Sequence, residues 1–132
     1  MAARADEFGD PTTAEFWAAA RRHDLVIQRC GGCGRHQFYP RPHCLSCGSG
    51  DLAWVQAKGT ATVYSMTEIH MAPSPEFAIP YVVAIVELDE GPKMMTNLVN
   101  GRCQIGDRVR LAWRAREGKP PLPVFEPIRS SA

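Results

Sequence analysis

The sequence predicts a mainly β protein in three parts: a short N-terminal helix, a small metal-bound module, and a closed barrel of five strands. Three observations carry this. Two C-x-x-C pairs, Cys30–Cys33 and Cys44–Cys47, stand ten residues apart. From Lys58 onward, short β-rich runs alternate with turns built on Gly, Pro and Asn. No long helical pattern follows the first two dozen residues.

Residues 1–11 read as a disordered start that ends in Asp10-Pro11. Thr12-Thr13-Ala14-Glu15 has the spacing of a capping box, with Thr12 as the expected N-cap and Glu15 three positions on. A helix is expected over about 13–23. Phe16, Trp17 and Ala20 share one face, and Arg21, Arg22 and His23 place positive charge at the C-terminus. So short a helix needs packing to persist. The Phe16–Trp17 pair packs either on its own chain or on a partner, and both residues are candidate partner contacts.

The metal-bound module is expected over 25–55. Leu25-Val26-Ile27-Gln28 is a short β run that enters the first C-x-x-C, and Leu52-Ala53-Trp54-Val55 leaves the second. Phe38-Tyr39-Pro40-Arg41-Pro42 lies between them, extended by its prolines and barred from a central strand. The segment is too small to hold itself by core burial, so a metal is expected to carry its folding.

Four cysteines in two close pairs are what a tetrahedral four-thiolate site requires, and Gly34 and Gly48 follow the pairs where the chain must turn sharply. Cys30, Cys33, Cys44 and Cys47 are therefore the expected ligands of one structural zinc ion. Disulfides compete with this reading, but nothing in the sequence points to secretion. A redox dithiol needs one C-x-x-C, not two. Iron in a rubredoxin-like site accepts the same ligands and remains the alternative. With four thiolates the shell is closed, so the site supports folding and offers no open position for chemistry. His36 and His43 lie in the intervening loop as surface or outer-shell groups.

The barrel is expected over 56–128, with a tail over 129–132. Gly59 to Thr67 is β-rich, with Ala61, Val63 and Ser65 on one face and Thr62, Tyr64 and Met66 on the other. Met71 to Pro80 holds three of the eleven prolines and reads as a long loop of functional interest. Tyr81 to Leu88 is the most apolar strand. Asp89-Glu90-Gly91-Pro92 turns the chain, and Lys93 to Val99 returns antiparallel. After the Asn100-Gly101 turn, Val109, Leu111 and Trp113 alternate with Arg108, Arg110 and Ala112. Glu117 to Pro121 reads as a turn, and Leu122 to Glu126 closes the set. Five short strands joined in this way suit a small closed barrel, of which the OB-fold is the Greek-key version. No internal repeat is visible beyond the paired C-x-x-C units.

Composition excludes several classes. The net charge is +1 with 22% charged residues, which leaves no electrostatic footprint for non-specific nucleic-acid binding. No apolar run approaches the ~18 residues of a membrane span. The first ten residues resemble neither a signal nor a transit peptide. A soluble cytoplasmic protein is the expectation. Cys103, the fifth cysteine, reads as a small buried hydrophobe.

At this point the residues resemble a known family, "domain of unknown function 35". The resemblance runs through Phe16-Trp17, Leu25-x-Ile27-Gln28-Arg29-Cys30-x-x-Cys33-Gly34 and Tyr39-Pro40-Arg41-x-x-Cys44-x-x-Cys47-Gly48-Ser49. It continues in Trp54, Gly59-Thr60-x-x-Val63-Tyr64-Ser65, Pro80-Tyr81-Val82-Val83-Ala84, Val86-Glu87-Leu88-Asp89, Ile105-Gly106-x-x-Val109 and Pro123-x-Phe125-x-Pro127. It covers about residues 12–128. Gly101-Arg102-Cys103-Gln104 departs from the family pattern, which has acidic or apolar residues there. The resemblance implies a rubredoxin-like zinc ribbon joined to an OB-fold. It also implies a partner: a thiolase-like, CoA-dependent enzyme such as a thiolase, an acyltransferase or an acyl-CoA aldolase, with some relatives bridging to a second CoA enzyme or binding the CoA moiety.

The residues agree with an accessory role. Acyl transfer needs a nucleophile, a base and an oxyanion hole. The chain offers no nucleophile elbow and no Cys/His pairing, and His23, His36, His43 and His70 are scattered. No catalytic residue is assigned. A CoA site would need cations for its phosphates. Arg108 and Arg110 share a strand face and are candidates for a CoA phosphate or a partner contact; a solvated strand face is the plainer reading. A single-stranded nucleic-acid binder is the alternative function, opposed by the charge.

Overall fold

The structure, a computed structural model, describes residues 11–71 and 80–128. A 3-10 turn at Pro11–Thr13 leads into α1 (Ala14–Arg21). Eight strands follow: β1 (Val26–Cys30), β2 (His36–Gln37), β3 (Leu52–Gln56), β4 (Thr60–Ile69), β5 (Tyr81–Leu88), β6 (Lys93–Leu98), β7 (Arg108–Arg116) and β8 (Lys119–Pro127). They form a three-stranded antiparallel sheet, β2-β1-β3, and a closed barrel, β4-β5-β6-β8-β7. The barrel order is that of an OB-fold. No helix among the described residues is long and apolar enough to cross a membrane.

The helix starts one residue later than the capping box implies. Thr13 is the N-cap and makes no side-chain cap bond, because the 3-10 turn occupies the preceding residues. The helix also stops at Arg21, two residues early: the N–H groups of Arg22 and His23 fold back on Ala19 and Ala20, and His23 takes a left-handed φ of 62°. What holds so short a helix is packing. Phe16 is 6% exposed and meets the Trp17 ring edge-on at 4.9 Å and Phe38 at 5.5 Å. His23 stacks on Trp113 of β7 at 5.4 Å, and the Arg116 guanidinium lies 5.6 Å over Trp17. The helix thus bridges the small sheet and the β7–β8 hairpin. Phe16, a candidate partner contact, is internal packing in this chain, whereas Trp17 is partly exposed.

One hydrophobic core runs through both sheets. Leu25 and Ile27 from β1 and its approach join Phe16, Val63, Val86, Leu88, Val109 and Phe125. Cys103 belongs to the same core, as its sequence context implies. Trp113 lies only partly buried against it.

The alternation expected in β4 holds only for its first half. Ala61 and Val63 point inward, but the pairing with β5 slips between Val63 and Ser65. Tyr64 is the extra residue, so beyond it the faces exchange: Ser65 is exposed and Met66 packs on the core. A one-residue bulge does this because side chains alternate with period two.

β8 corrects a second expectation. Lys119–Pro121 is strand, not turn, and the turn is confined to Glu117-Gly118. A strand holding Pro120, Pro121, Pro123 and Pro127 survives because of its parity and of a register shift near its start. Leu111 sends its N–H to the Gly59 carbonyl, away from β8, so the Leu111–Phe125 pair is of the non-hydrogen-bonded kind. Pro123 and Pro127 share the parity of Phe125, so the N–H groups they lack face away from β7, whereas Pro120 and Pro121 fall where the β7–β8 register shifts between Arg114 and Arg116. On that far side the seam to β6 is thin. It consists of one parallel pair, Leu98–Phe125, with Val99 N–H on the Phe125 carbonyl and the Thr96 hydroxyl on the Pro123 carbonyl at 2.9 Å. The long Met71–Pro80 loop lies almost wholly outside the described residues, as do the N-terminal start and the tail over 129–132.

Phe125 sits at this seam and is fully buried. Phe125→Ala is expected to cost about 3–5 kcal/mol of stability through the cavity it leaves. Urea unfolding of the two proteins side by side measures it.

Candidate metal centre and the charged strand face

The two C-x-x-C units fold as near copies of each other. In the first, Gly34 N–H bonds the Cys30 carbonyl at 2.8 Å, and Cys30 N–H bonds the Arg35 carbonyl at 2.9 Å. In the second, Gly48 bonds Cys44 at 2.9 Å and Cys44 bonds Ser49 at 2.8 Å. Gly34 and Gly48 have φ of 79° and 78°, a region that side chains rarely enter, which is why glycine follows each pair. Gly31 N–H on the Asp51 carbonyl at 2.7 Å ties the first unit to the strand leaving the second.

These turns bring four sulfurs together. Cys30 and Cys47 Sγ lie 3.5 Å apart, Cys33 and Cys44 Sγ 3.7 Å apart, and all four within 4.8 Å of one another. Disulfide sulfurs would be at about 2.05 Å. An ion with about 2.3 Å bonds to sulfur gives a tetrahedron with edges of about 3.8 Å, so the set fits one such ion. Backbone N–H groups of Gly32 and Cys33 point at Cys30 Sγ, at 3.3 and 3.4 Å, and that of Ser46 at Cys44 Sγ, at 3.3 Å. They favour the thiolate form. The Cys47 and Ser46 N–H groups bring the Cys44 thiol down to about 6, and those of Cys33 and Gly32 lower Cys30. Cys47 also accepts an N–H, from Ser49, yet crowding by the Cys30 sulfur, burial, and the Cys44 and Cys33 sulfurs push it up to about 11. Four thiolates cannot share this space without a cation, and a metal ion supplies that charge.

The loop between the units is fixed by two glutamines. Gln37 Nε2 donates to Gln28 Oε1 at 2.8 Å, Gln28 Oε1 also accepts the Arg41 N–H at 2.9 Å, and Gln37 Oε1 accepts the Leu45 N–H at 3.0 Å. Both glutamines are buried. Sequence reading passed over Gln37. The signal available was a glutamine on a strand too short to leave its amide in water.

His36 and His43 are not ligands; the sulfurs complete the cluster without them. His70 is exposed beside Glu68, at 3.1 Å. No histidine stands with a nucleophile in a catalytic arrangement among the described residues.

Arg108 and Arg110 do lie on one face of β7, but neither guanidinium is unpaired. Arg108 Nη1 and Nη2 grip both oxygens of Asp89 at 2.7 and 2.9 Å, and Nη1 also reaches Thr62 at 2.9 Å. Thr60 donates its hydroxyl to the same carboxylate. Arg110 Nε bonds Glu126 at 2.7 Å, and Asn100 donates to the other oxygen of Glu126. A phosphate would have to displace a carboxylate at each. The bidentate clamp pins the β5–β6 turn to β4 and β7. Arg108 and then Thr60 hold the Asp89 carboxyl at about 2.

A closed thiolate cluster on a three-stranded sheet, joined through one core to an OB barrel, defines a metal-ribbon/OB-fold protein. Comparison with known proteins agrees. Residues 17–53 match the family described as "ChsH2, rubredoxin-like zinc ribbon domain", and residues 54–114 match "ChsH2, C-terminal OB-fold domain". A "DUF35 domain-containing scaffold protein" of Methanothermobacter thermautotrophicus is 34% identical over 100 residues, covering 71% of this chain and 74% of that one. The chain belongs to the DUF35 family. A "Probable enoyl-CoA hydratase alpha subunit" of Thermomonospora curvata is 46% identical over 116 residues, 85% of this chain but 36% of that protein, so the chain spans about a third of that relative's length. Among solved structures, an "Ltp2-ChsH2(DUF35) aldolase" chain superposes with a TM-score of 0.83 at 43% identity, covering 89% of this chain and 95% of that one.

Cys44→Ser is expected to abolish metal binding, read by elemental analysis of the purified protein, while the barrel keeps its β signal in circular dichroism. Asp89→Asn is expected to cost about 1 kcal/mol at neutral pH. Because the folded carboxyl titrates near 2, below its ordinary 3.8, its contribution is complete above about pH 4. Denaturant unfolding of both proteins at successive pH values should show the gap closing as pH falls from about 4 towards 2.

Proposed function

We propose that the chain is a non-catalytic accessory unit that binds and supports an acyl-CoA enzyme of the thiolase, acyltransferase, aldolase or hydratase kind. The observation that carries this reading is the closed four-thiolate cluster. It has no open position for substrate, and the described residues around it hold no nucleophile–base pair. Family membership supports it, as do the names of the relatives, one an alpha subunit of a hydratase and one a scaffold protein. The likeness to a chain of the Ltp2-ChsH2(DUF35) aldolase supports it too. The resident ion is zinc in this reading, since a colourless, redox-inactive ion meets a purely structural need. The site of action is the cytoplasm, where thiols stay reduced.

Direct contact with a CoA phosphate at Arg108 and Arg110 is not required, since both arginines already close the barrel through Asp89 and Glu126. Trp17 is the better-placed half of the aromatic pair for a partner contact.

The isolated chain is expected to show no thiolytic, aldol or hydratase turnover with acyl-CoA esters, and to restore or raise turnover when added to its partner enzyme. Steady-state assays of chain, partner and mixture decide this. Robust turnover by the chain alone would overturn the accessory role.

A further inference from the structure

On the outer wall of the barrel, the register sets Ser65 of β4, Ile85 of β5 and Met95 of β6 side by side. The bulge brings Tyr64 out beside them, and the Lys93 ammonium lies 4.7 Å over the Tyr64 ring. The metal-bound module adds Tyr39, whose hydroxyl accepts the Met95 N–H at 3.2 Å. Tyr39, Tyr64 and Met95 are 48%, 57% and 58% exposed. Between Tyr39, Ile85, Lys93 and Met95, with Met94 at the floor, lies an open groove of about 190 Å³. Soluble chains seldom leave aromatic and methionine side chains clustered in water, and such clusters mark contact sites.

We infer that this face, formed jointly by the metal-bound module and β4–β6, is the docking surface for the acyl-CoA enzyme subunit, which inserts an apolar side chain flanked by a carboxylate. The inference rests on the accessory role proposed above. Charge selects the occupant. Lys93, which lines the groove, is paired with Glu87 at 3.8 Å. Together they are neutral, so a phosphate backbone finds no track of cations, although the outer face of these two strands is where OB-folds hold oligonucleotides. A protein core contact instead favours Tyr and Met with few charges. The Lys93–Glu87 pair is loose and half exposed, so Lys93 can accept a closer carboxylate from the partner at the edge of the groove. Met95 and Ile85 supply adaptable and rigid apolar surface for the inserted side chain.

Tyr39 gives the metal a role in recognition. Its backbone lies between the two cysteine pairs, beside the Arg41 N–H held by Gln28. The cluster and the paired glutamines therefore set where Tyr39 meets the barrel.

The test uses the full chain, tagged, and the acyl-CoA enzyme subunit that it retains from a lysate of its own organism, identified by mass spectrometry and then purified. In titrations of the two purified proteins, Met95→Glu is expected to weaken binding by about a hundredfold or more, and Tyr39→Ala by about tenfold. Met71→Glu, at an exposed side chain past the end of β4, is expected to leave it unchanged. Metal content and thermal unfolding of the variants verify that each is folded. Equal affinity of Met95→Glu and the wild type would overturn the docking face and leave the accessory role standing. Retention of no acyl-CoA enzyme by the wild type would overturn the accessory role and this inference with it. Self-association in light scattering that Met95→Glu abolishes would assign the face to a second copy. Salt-dependent binding of single-stranded DNA lost in the same variant would assign it to nucleic acid. Either of these last results overturns the proposal.

Discussion

The small β2-β1-β3 sheet depends on four sulfurs sharing one cation. The β2-β1-β3 sheet has strands of two to five residues, and its second hairpin strand has two. Such a sheet buries too little apolar surface to offset the entropy of ordering its loops. The paired turns place the thiols, backbone N–H groups favour their ionised form, and the bound charge then makes the arrangement stable. The Gln28–Gln37 network, the seating of Phe38 against Phe16, and the position of Tyr39 all follow from that closure.

The barrel depends on a different device. Its β6–β8 seam is short in hydrogen bonds, so closure relies on Phe125 at the core and on ion pairs at the rim. The Arg108–Asp89 clamp crosses from β7 to the β5–β6 turn, and the Arg110–Glu126 pair joins β7 to β8. Arginines that stand together on a strand look, in sequence, like a site for phosphate. In space each has a carboxylate partner contributed by a distant stretch of chain, which is information that residue spacing does not hold.

Much of the fold was legible because its signals are local. C-x-x-C followed by glycine specifies a turn with two sulfurs, and the runs Val26–Gln28, Tyr81–Leu88 and Lys93–Leu98 have strand composition at strand length. The five-strand closure and the ribbon followed from these together with the family resemblance. The parts that sequence misread are those decided by neighbours. Tyr64 looks like one member of a regular alternation until the pairing with β5 makes it a bulge. Pro120 and Pro121 look like a turn until the pairing with β7 places them in a strand whose register shifts there, while parity spares β7 the N–H groups of Pro123 and Pro127. Thr12 has the spacing of a cap, but it lies within the 3-10 turn Pro11–Thr13, which moves the N-cap to Thr13. The cluster of Cys30, Cys33, Cys44 and Cys47 was legible, since each pair carries its own spacing. The Tyr39–Met95 contact was not, since the two residues are far apart in sequence and meet only when both modules are folded.

The thin seam has a further meaning for solubility. Between Lys93 and Asn97, β6 turns backbone groups towards a side where β8 scarcely pairs with it, and the Tyr39 hydroxyl covers the Met95 N–H at that point. An uncovered strand edge recruits edges from other molecules. The proline-rich β8 is a poor template, so the hazard is concentrated on β6. A chain starved of its ion would lose the hold on Tyr39 and bare a Met-rich edge. Metal supply would then govern whether the protein stays dispersed in a crowded cell, quite apart from whether it can meet its partner.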